Sequence, residues 1–175
     1  MNYSDLSGHE PVTLAVGAIS VKAAIAVIAG VLVTYLAVDG LTRKEKSIIA
    51  QLEKKISDGI KSFISSLSLT LTKAKQHIKN SKMEKHHIVA KNDFRAGTGR
   101  FYLKKVNIST ESSYNLVKLK YWLHRHLHTK KYHTSVGAIV KATYTIGAKI
   151  KSSRIFVIGA LTGIKVALKA ASGVL

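Results

Sequence analysis

The sequence predicts a mainly α-helical protein with a small unit of two strands and a helix near its middle, and with apolar helices at both ends. Three observations carry this prediction. Pro11 is the only proline in 175 residues, so little interrupts long helices. Apolar residues make up 46% of the chain, which excludes a disordered basic tail. Two short β-like runs lie within residues 84–133, between segments of helical character.

The first segment, residues 1–42, is apolar from residue 12 to residue 38 except for Lys22. Its uninterrupted part, 23–38, is 16 residues long, whereas a bilayer span needs about 20. The pattern fits a membrane helix or a buried, alanine-rich helix, and both readings stay open. Arg43, Lys44 and Lys46 follow the segment, and acidic residues precede it. If the segment spans a membrane, the excess of positive charge on the cytoplasmic side would place the rest of the chain in a cytoplasm.

The second segment, residues 43–79, is predicted to be a basic amphipathic helix. Its apolar residues recur at steps typical of one helical face: Ile48, Ile49, Leu52, Ile56, Ile60, Phe63, Ile64 and Leu67. We expect this face to pack against a core, with a membrane surface as the alternative.

The last segment, residues 143–175, is predicted to be helical and is apolar with spaced lysines. Its apolar run from 155 to 164 is too short to span a bilayer.

The charge of the chain is strongly positive. Lys and Arg number 28 and Asp and Glu number 9, giving 28 − 9 = +19, so we expect a polyanionic partner, either nucleic acid or an anionic membrane. The chain has no cysteine, which excludes a disulfide framework, a thiolate zinc site and a cysteine nucleophile. No acidic residue follows Glu111, which argues against carboxylate catalysis in the C-terminal part.

Histidines concentrate in the central domain, predicted at residues 80–142. Six of the eight fall between residues 86 and 133. His86 and His87 begin one β-like run, Asn115 lies in the second, and His124 and His128 are four apart, on one face of a helix. Three neutral imidazoles from two elements can hold a divalent ion, and a fourth can act as a general base. Such a site suits hydrolysis of a phosphodiester.

The order HH, then N, then H-x-x-x-H resembles the HNH, or ββα-metal, nuclease motif. The wider string is similar to the AHH branch of the HNH and endonuclease VII superfamily, whose members often form toxin modules of bacterial polymorphic toxins. The similarity covers about residues 80–142 and ends in H-x-x-L-H-T-x-x-Y at Tyr132. Lys85 departs from the Ala of the family name. The gap between His87 and Asn115 is longer than in colicin-type enzymes, which implies an inserted helix near 92–105.

The resemblance implies a role for each motif residue. His86, His124 and His128 would bind one divalent ion of the Mg, Zn or Ni class, His87 would be the general base, and Asn115 would orient the loop or the base. His126 and His133 lie outside this scheme and are expected to be solvated or to touch phosphate. Flanking cations would contact phosphates: Arg95, Arg100, Lys104, Lys105, Lys118, Lys120, Arg125, Lys130 and Lys131.

The predicted function is therefore that of a metal-dependent endonuclease acting on DNA or RNA. The resemblance further implies a bacterial toxin effector that is delivered or membrane-associated, acts in a cytoplasm and has a cognate immunity protein. Two alternatives remain: a cationic membrane-active protein, and a nucleic-acid-binding module that does not cut.

Overall fold

The computed structural model describes residues 43–74, 82–149 and 151–173. Within these ranges the fold is mainly helical with one small sheet. Its elements are α1 (Arg43–Ala74), β1 (Met83–His87), α2 (Gly97–Lys105), β2 (Leu116–Lys120), α3 (Tyr121–Leu127), α4 (Lys130–Lys149) and α5 (Ser153–Ala171). Short 3₁₀ turns lie at Phe94–Ala96 and Ser113–Asn115. The apolar segment at 12–38 lies outside the described residues.

Helix α4 is the centre of the fold and packs against α1, α2 and α5. Its apolar side chains point in several directions, and Ile139, Val140 and Ile146 are fully enclosed. Helix α1 approaches closely at Gly59, where a Cβ atom would lie 3.0 Å from Cγ1 of Ile139. The predicted apolar face of α1 is buried at Ile56, Ile60, Phe63 and Leu67, which confirms core packing for that half of the helix.

The sheet pairs β1 and β2 in antiparallel orientation, with His86 opposite Val117 and His87 opposite Leu116. Side chains alternate along β2, so that Val117 and Leu119 are buried while Lys118 is exposed. Helix α3 begins at Tyr121, directly after β2. The predicted order of strand, strand and helix is therefore confirmed, and α2 is the helix expected between the strands.

The C-terminal apolar stretch forms α5, which packs against α4 and β2 and buries most of its large apolar side chains, Ile155 excepted. The stretch is apolar because it contributes side chains to the protein core, among them Phe156, Val157, Leu161 and Leu168. In the described ranges, no helix is both long and apolar enough to cross a bilayer. The helical segment predicted at 143–175 is divided here, since α4 runs on to residue 149 before α5 starts at 153.

Candidate metal centre

Three of the predicted ligands meet in space. His86, His124 and His128 each offer a ring nitrogen, and these nitrogens lie within 4.8 Å of one another. The ring centroid of His86 lies 5.0 Å from that of His124 and 5.5 Å from that of His128, and the last two are 5.2 Å apart. Zn–N bonds of about 2.0–2.1 Å put tetrahedral ligand nitrogens roughly 3.3 Å apart. The three imidazoles can therefore close on one ion by small side-chain movements.

Strand β1 supplies one ligand directly and orients a second. Glu84 and His86 are two residues apart, so their side chains leave the same face of the strand, towards α3. Nδ1 of His124 donates a hydrogen bond of 2.6 Å to Oε2 of Glu84. Because Nδ1 of His124 carries the proton, its Nε2 is the nitrogen left for an ion. Glu84 was not identified from the sequence, because its partner is 40 residues away.

His128 is not inside a helix, contrary to the sequence prediction. Helix α3 ends at Leu127, and His128 caps it with φ −70° and ψ 55°. Thr129 then caps the start of α4, since its Oγ1 accepts a 3.1 Å hydrogen bond from the N–H of Tyr132. His128 still follows His124 by one turn, so the two rings remain 5.2 Å apart.

His86 is fully buried. Its Nε2 lies 2.9 Å from the hydroxyl oxygen of Tyr132, while its Nδ1 is buried and has no hydrogen-bond partner among the described residues. Burial, followed by the nearby His124 and His128, lowers the pKa of His86 to about 2. The neutral form is the one that binds metals, and an orphaned buried nitrogen beside two other imidazoles fits an ion at this point.

His87 has different surroundings. It follows His86 on β1, so its side chain leaves the opposite face of the strand. Nε2 of His87 contacts Oε1 of Glu111 at 3.1 Å, and the side chain is 24% exposed. Lys91 contacts the same carboxylate at 3.2 Å, and hydrogen bonds from Lys91 and His87 lower the pKa of Glu111. His87 is thus oriented by a carboxylate and remains accessible to solvent.

Asn115 is fully buried, and its side chain ties the two strands' neighbouring loops together. Oδ1 accepts a 2.8 Å hydrogen bond from the N–H of Val89, and Nδ2 donates to the carbonyls of Val89 and Thr110 at 3.0 and 2.8 Å. Every one of these bonds is to backbone. Asn115 therefore orients the loop that follows His87 and does not face the solvent-accessible site.

Comparison with known families gives a match that covers the residues of this site. A profile described as a nuclease family of the HNH/ENDO VII superfamily with conserved AHH matches residues 68–167. The match spans more than half of the chain.

The chain belongs to the AHH nuclease family.

The comparisons with curated proteins and with solved structures found no match. This AHH nuclease carries Lys85 where the family name has alanine. Lys85 is exposed on β1 and pairs with Lys118 across the sheet, so its side chain leaves the face opposite His86. Lys85 therefore shares a strand face with His87 and not with the imidazole cluster.

A second group of potential ligands adjoins the first in this AHH nuclease. Asp93, His128 and His133 also present ligand atoms within 4.8 Å of one another. His133 is buried rather than solvated, contrary to the sequence prediction, and its Nε2 lies 3.1 Å from Oδ2 of Asp93 without hydrogen-bond geometry. Hydrogen bonds from Arg95 hold the pKa of Asp93 well below its usual range. Sequence spacing carried no signal for this pair, because Asp93 lies in a loop.

The predicted phosphate contacts of the AHH nuclease divide into two groups. Nε of Arg95 donates to Oδ1 and Oδ2 of Asp93 at 2.9 and 3.2 Å, and its Nη2 donates to Oδ2 at 2.6 Å. Arg100 donates to the backbone carbonyls of Ala90 and Asp93. These two arginines therefore hold the loop after β1, through Nε and Nη2 of Arg95 and Nη1 of Arg100. The remaining predicted cations are exposed or half-buried: Lys104, Lys105, Lys118, Lys120, Arg125, Lys130 and Lys131.

Proposed function

We propose that this member of the nuclease family is a metal-dependent endonuclease that hydrolyses phosphodiester bonds in nucleic acid. The observation that carries the proposal is the convergence of His86, His124 and His128 within 4.8 Å. A divalent ion held there would supply positive charge for the phosphate and the leaving oxygen. Neutral imidazoles suit ions of the zinc and nickel class, and the cleavage assay compares both with Mg²⁺.

We assign the general base to His87. Glu111 accepts from Nε2 at 3.1 Å, which leaves Nδ1 of the neutral ring as a proton acceptor. The carboxylate also stabilises the imidazolium that forms when His87 takes a proton from water. His133, the other histidine beside the cluster, is 2% exposed and cannot meet a substrate in the same way.

Exposed lysines provide the contacts to the substrate backbone in this proposal. Lys104, Lys105, Lys118 and Lys130 are exposed, and no acidic residue follows Glu111 to neutralise the C-terminal part of the chain. Contacts of this kind hold the strand without reading its bases. Binding should therefore weaken as salt rises, because each phosphate contact releases counterions. DNA and RNA share this chemistry, so both are tested.

The test is a cleavage assay with the purified full chain, plasmid DNA and a folded RNA, in Mg²⁺, Zn²⁺ or Ni²⁺ and with EDTA. His124→Ala is compared with His126→Ala, because His126 is an exposed histidine on the same helix whose Nδ1 contacts the carbonyl of Trp122. We expect cleavage to need metal, to be lost in the first variant and to survive in the second. Cleavage that persists in EDTA, or in His124→Ala, would contradict the proposal. Binding without cleavage by the wild type would instead indicate a non-catalytic module.

We also propose that the nuclease acts as a toxin effector in a bacterial cytoplasm, with an immunity protein as its partner. This part is supported by the resemblance of the motif region to polymorphic-toxin modules. Induced expression in bacteria should arrest growth for the wild type and not for His124→Ala. Equal growth of both strains would contradict the toxin role and leave the result of the nuclease assay unaffected.

Any membrane association is assigned in this proposal to residues 12–38, which lie outside the described ranges. Co-sedimentation of the full chain with anionic liposomes tests it.

A further inference from the structure

Tyr132 connects the imidazole cluster to the backbone after β1. It lies in the first turn of α4 and is fully buried, with its ring 5.8 Å from that of Phe63 and 5.6 Å from that of His86. Its hydroxyl oxygen lies 2.9 Å from Nε2 of His86 and 3.2 Å from the carbonyl oxygen of Ile88. One hydroxyl therefore serves two neighbours in the core.

The direction of these two hydrogen bonds follows from chemistry. A carbonyl oxygen only accepts, so the single hydroxyl proton of Tyr132 is donated to Ile88. Towards His86 the hydroxyl oxygen can then only accept. The proton in that bond must belong to His86, and its Nε2 must be the protonated nitrogen.

A neutral imidazole carries one ring proton, so a proton on Nε2 leaves Nδ1 with a free lone pair. Nδ1 of His86 is also the atom that is buried with no hydrogen-bond partner in the described part of the chain. His124 has the opposite arrangement, because Glu84 holds the proton on Nδ1 and leaves Nε2 free. His86 and His124 are thus each oriented by a partner on the nitrogen that faces away from the ion.

We infer that Tyr132 is a positioning residue, which holds His86 as the Nε2–H tautomer and so makes Nδ1 the nitrogen that binds the metal ion. The inference rests on the proposed metal-dependent function. It assigns a role to the tyrosine that closes the H-x-x-L-H-T-x-x-Y motif. A tyrosine that only filled the core would not determine which nitrogen of His86 carries the proton.

The first test is ¹⁵N NMR of the histidine rings in the full chain, without metal and then with Zn²⁺. We expect His86 to be protonated on Nε2 before metal is added, and Zn²⁺ to move the Nδ1 resonance into the range of a metal-bound nitrogen. A proton on Nδ1 in the metal-free protein, or coordination through Nε2, would overturn the inference. This measurement uses the wild type alone, so it decides even if a Tyr132 variant does not fold.

The second test compares Tyr132→Phe with Tyr144→Phe by competition titration with Zn²⁺. Tyr144 is on the same helix, 12 residues further along, which is about 18 Å at 1.5 Å per residue. We expect Tyr132→Phe to weaken Zn²⁺ binding roughly 10–100-fold, as losses of such outer partners do, and to give His86 a mixed tautomer. Tyr144→Phe should change neither. Unchanged affinity and tautomer in folded Tyr132→Phe would refute the inference.

These results separate the inference from the proposed function. If Zn²⁺ binds through Nδ1 of His86 but neither nucleic acid is cut, the nuclease proposal fails and the inference stands. If nucleic acid is cut in a metal-dependent manner while His86 binds through Nε2, the inference fails and the nuclease proposal stands.

Discussion

Replacement of Glu84 by glutamine removes a charge beside the candidate metal centre while keeping the shape of the side chain. In the structure, the carboxylate accepts a 2.6 Å hydrogen bond from Nδ1 of His124, a short, charge-assisted contact. Loss of a carboxylate behind a ligating histidine costs roughly 10–100-fold in metal affinity, which is about 1.4–2.7 kcal/mol. Glu84 is 31% exposed and lies 3.6 Å from Arg125, so its charge is already partly screened. We therefore expect the lower end, about a tenfold loss.

Glu111 offers a matched control, because it makes the same kind of contact to a histidine that we place outside the ligand set. Competition titration of the full chain with Zn²⁺ should give a weaker affinity for Glu84→Gln and an unchanged affinity for Glu111→Gln. Turnover of nucleic acid should fall in Glu111→Gln, because His87 loses its oriented partner. Thermal unfolding checks that both variants are folded. Unchanged metal affinity in Glu84→Gln, or equal losses in both variants, would refute this reasoning.

Three further predictions concern turnover, stability and pH. His124→Ala should lose metal binding and turnover together, whereas His87→Ala should keep metal binding and lose roughly 10²–10⁴-fold in turnover, measured by isothermal titration and a cleavage assay. Asn115→Ala removes three hydrogen bonds to buried backbone and should cost about 2–4 kcal/mol in urea unfolding. The metal-free protein should lose stability as pH falls below 6.5, since the unfolded chain protonates His86 there while the folded pKa is about 2. Protonation of His86 alone should lower the free energy of unfolding by roughly 2 kcal/mol at pH 5, measured by urea unfolding.

Each of these three has an outcome that contradicts it. Loss of metal affinity in His87→Ala would mean that this histidine is a ligand and that the base lies elsewhere. A cost below about 1 kcal/mol for Asn115→Ala would mean that its hydrogen bonds are easily replaced by water. His86→Gln should flatten the acid side of the stability curve, and an unchanged slope would show that His86 does not control it.

The sequence by itself determined the order of the elements in the motif region and which residue types lie together at the site. The order of two strands and a helix is present in the structure, although His86 and His87 end β1 and do not begin it. The resemblance implied the helix near 92–105, which is α2. The amphipathic period of α1 likewise predicted its buried face. His86, His124 and His128 were predicted as ligands from their order and spacing and from the resemblance, and the structure brings their ring nitrogens within 4.8 Å of one another.

Tertiary structure decided how each ring is presented. Glu84 lies 40 residues from His124, and Tyr132 lies 46 residues from His86, so no local spacing predicts either pair. Arg95 and Arg100 carry the same charge as the exposed lysines, and their contacts inside the loop distinguish them. The apolar run of α5 is too short to span a bilayer, but only the structure shows that α4 and β2 pack against it. A residue type fixes what a side chain can bind, whereas the partner it meets depends on chain segments brought together by folding.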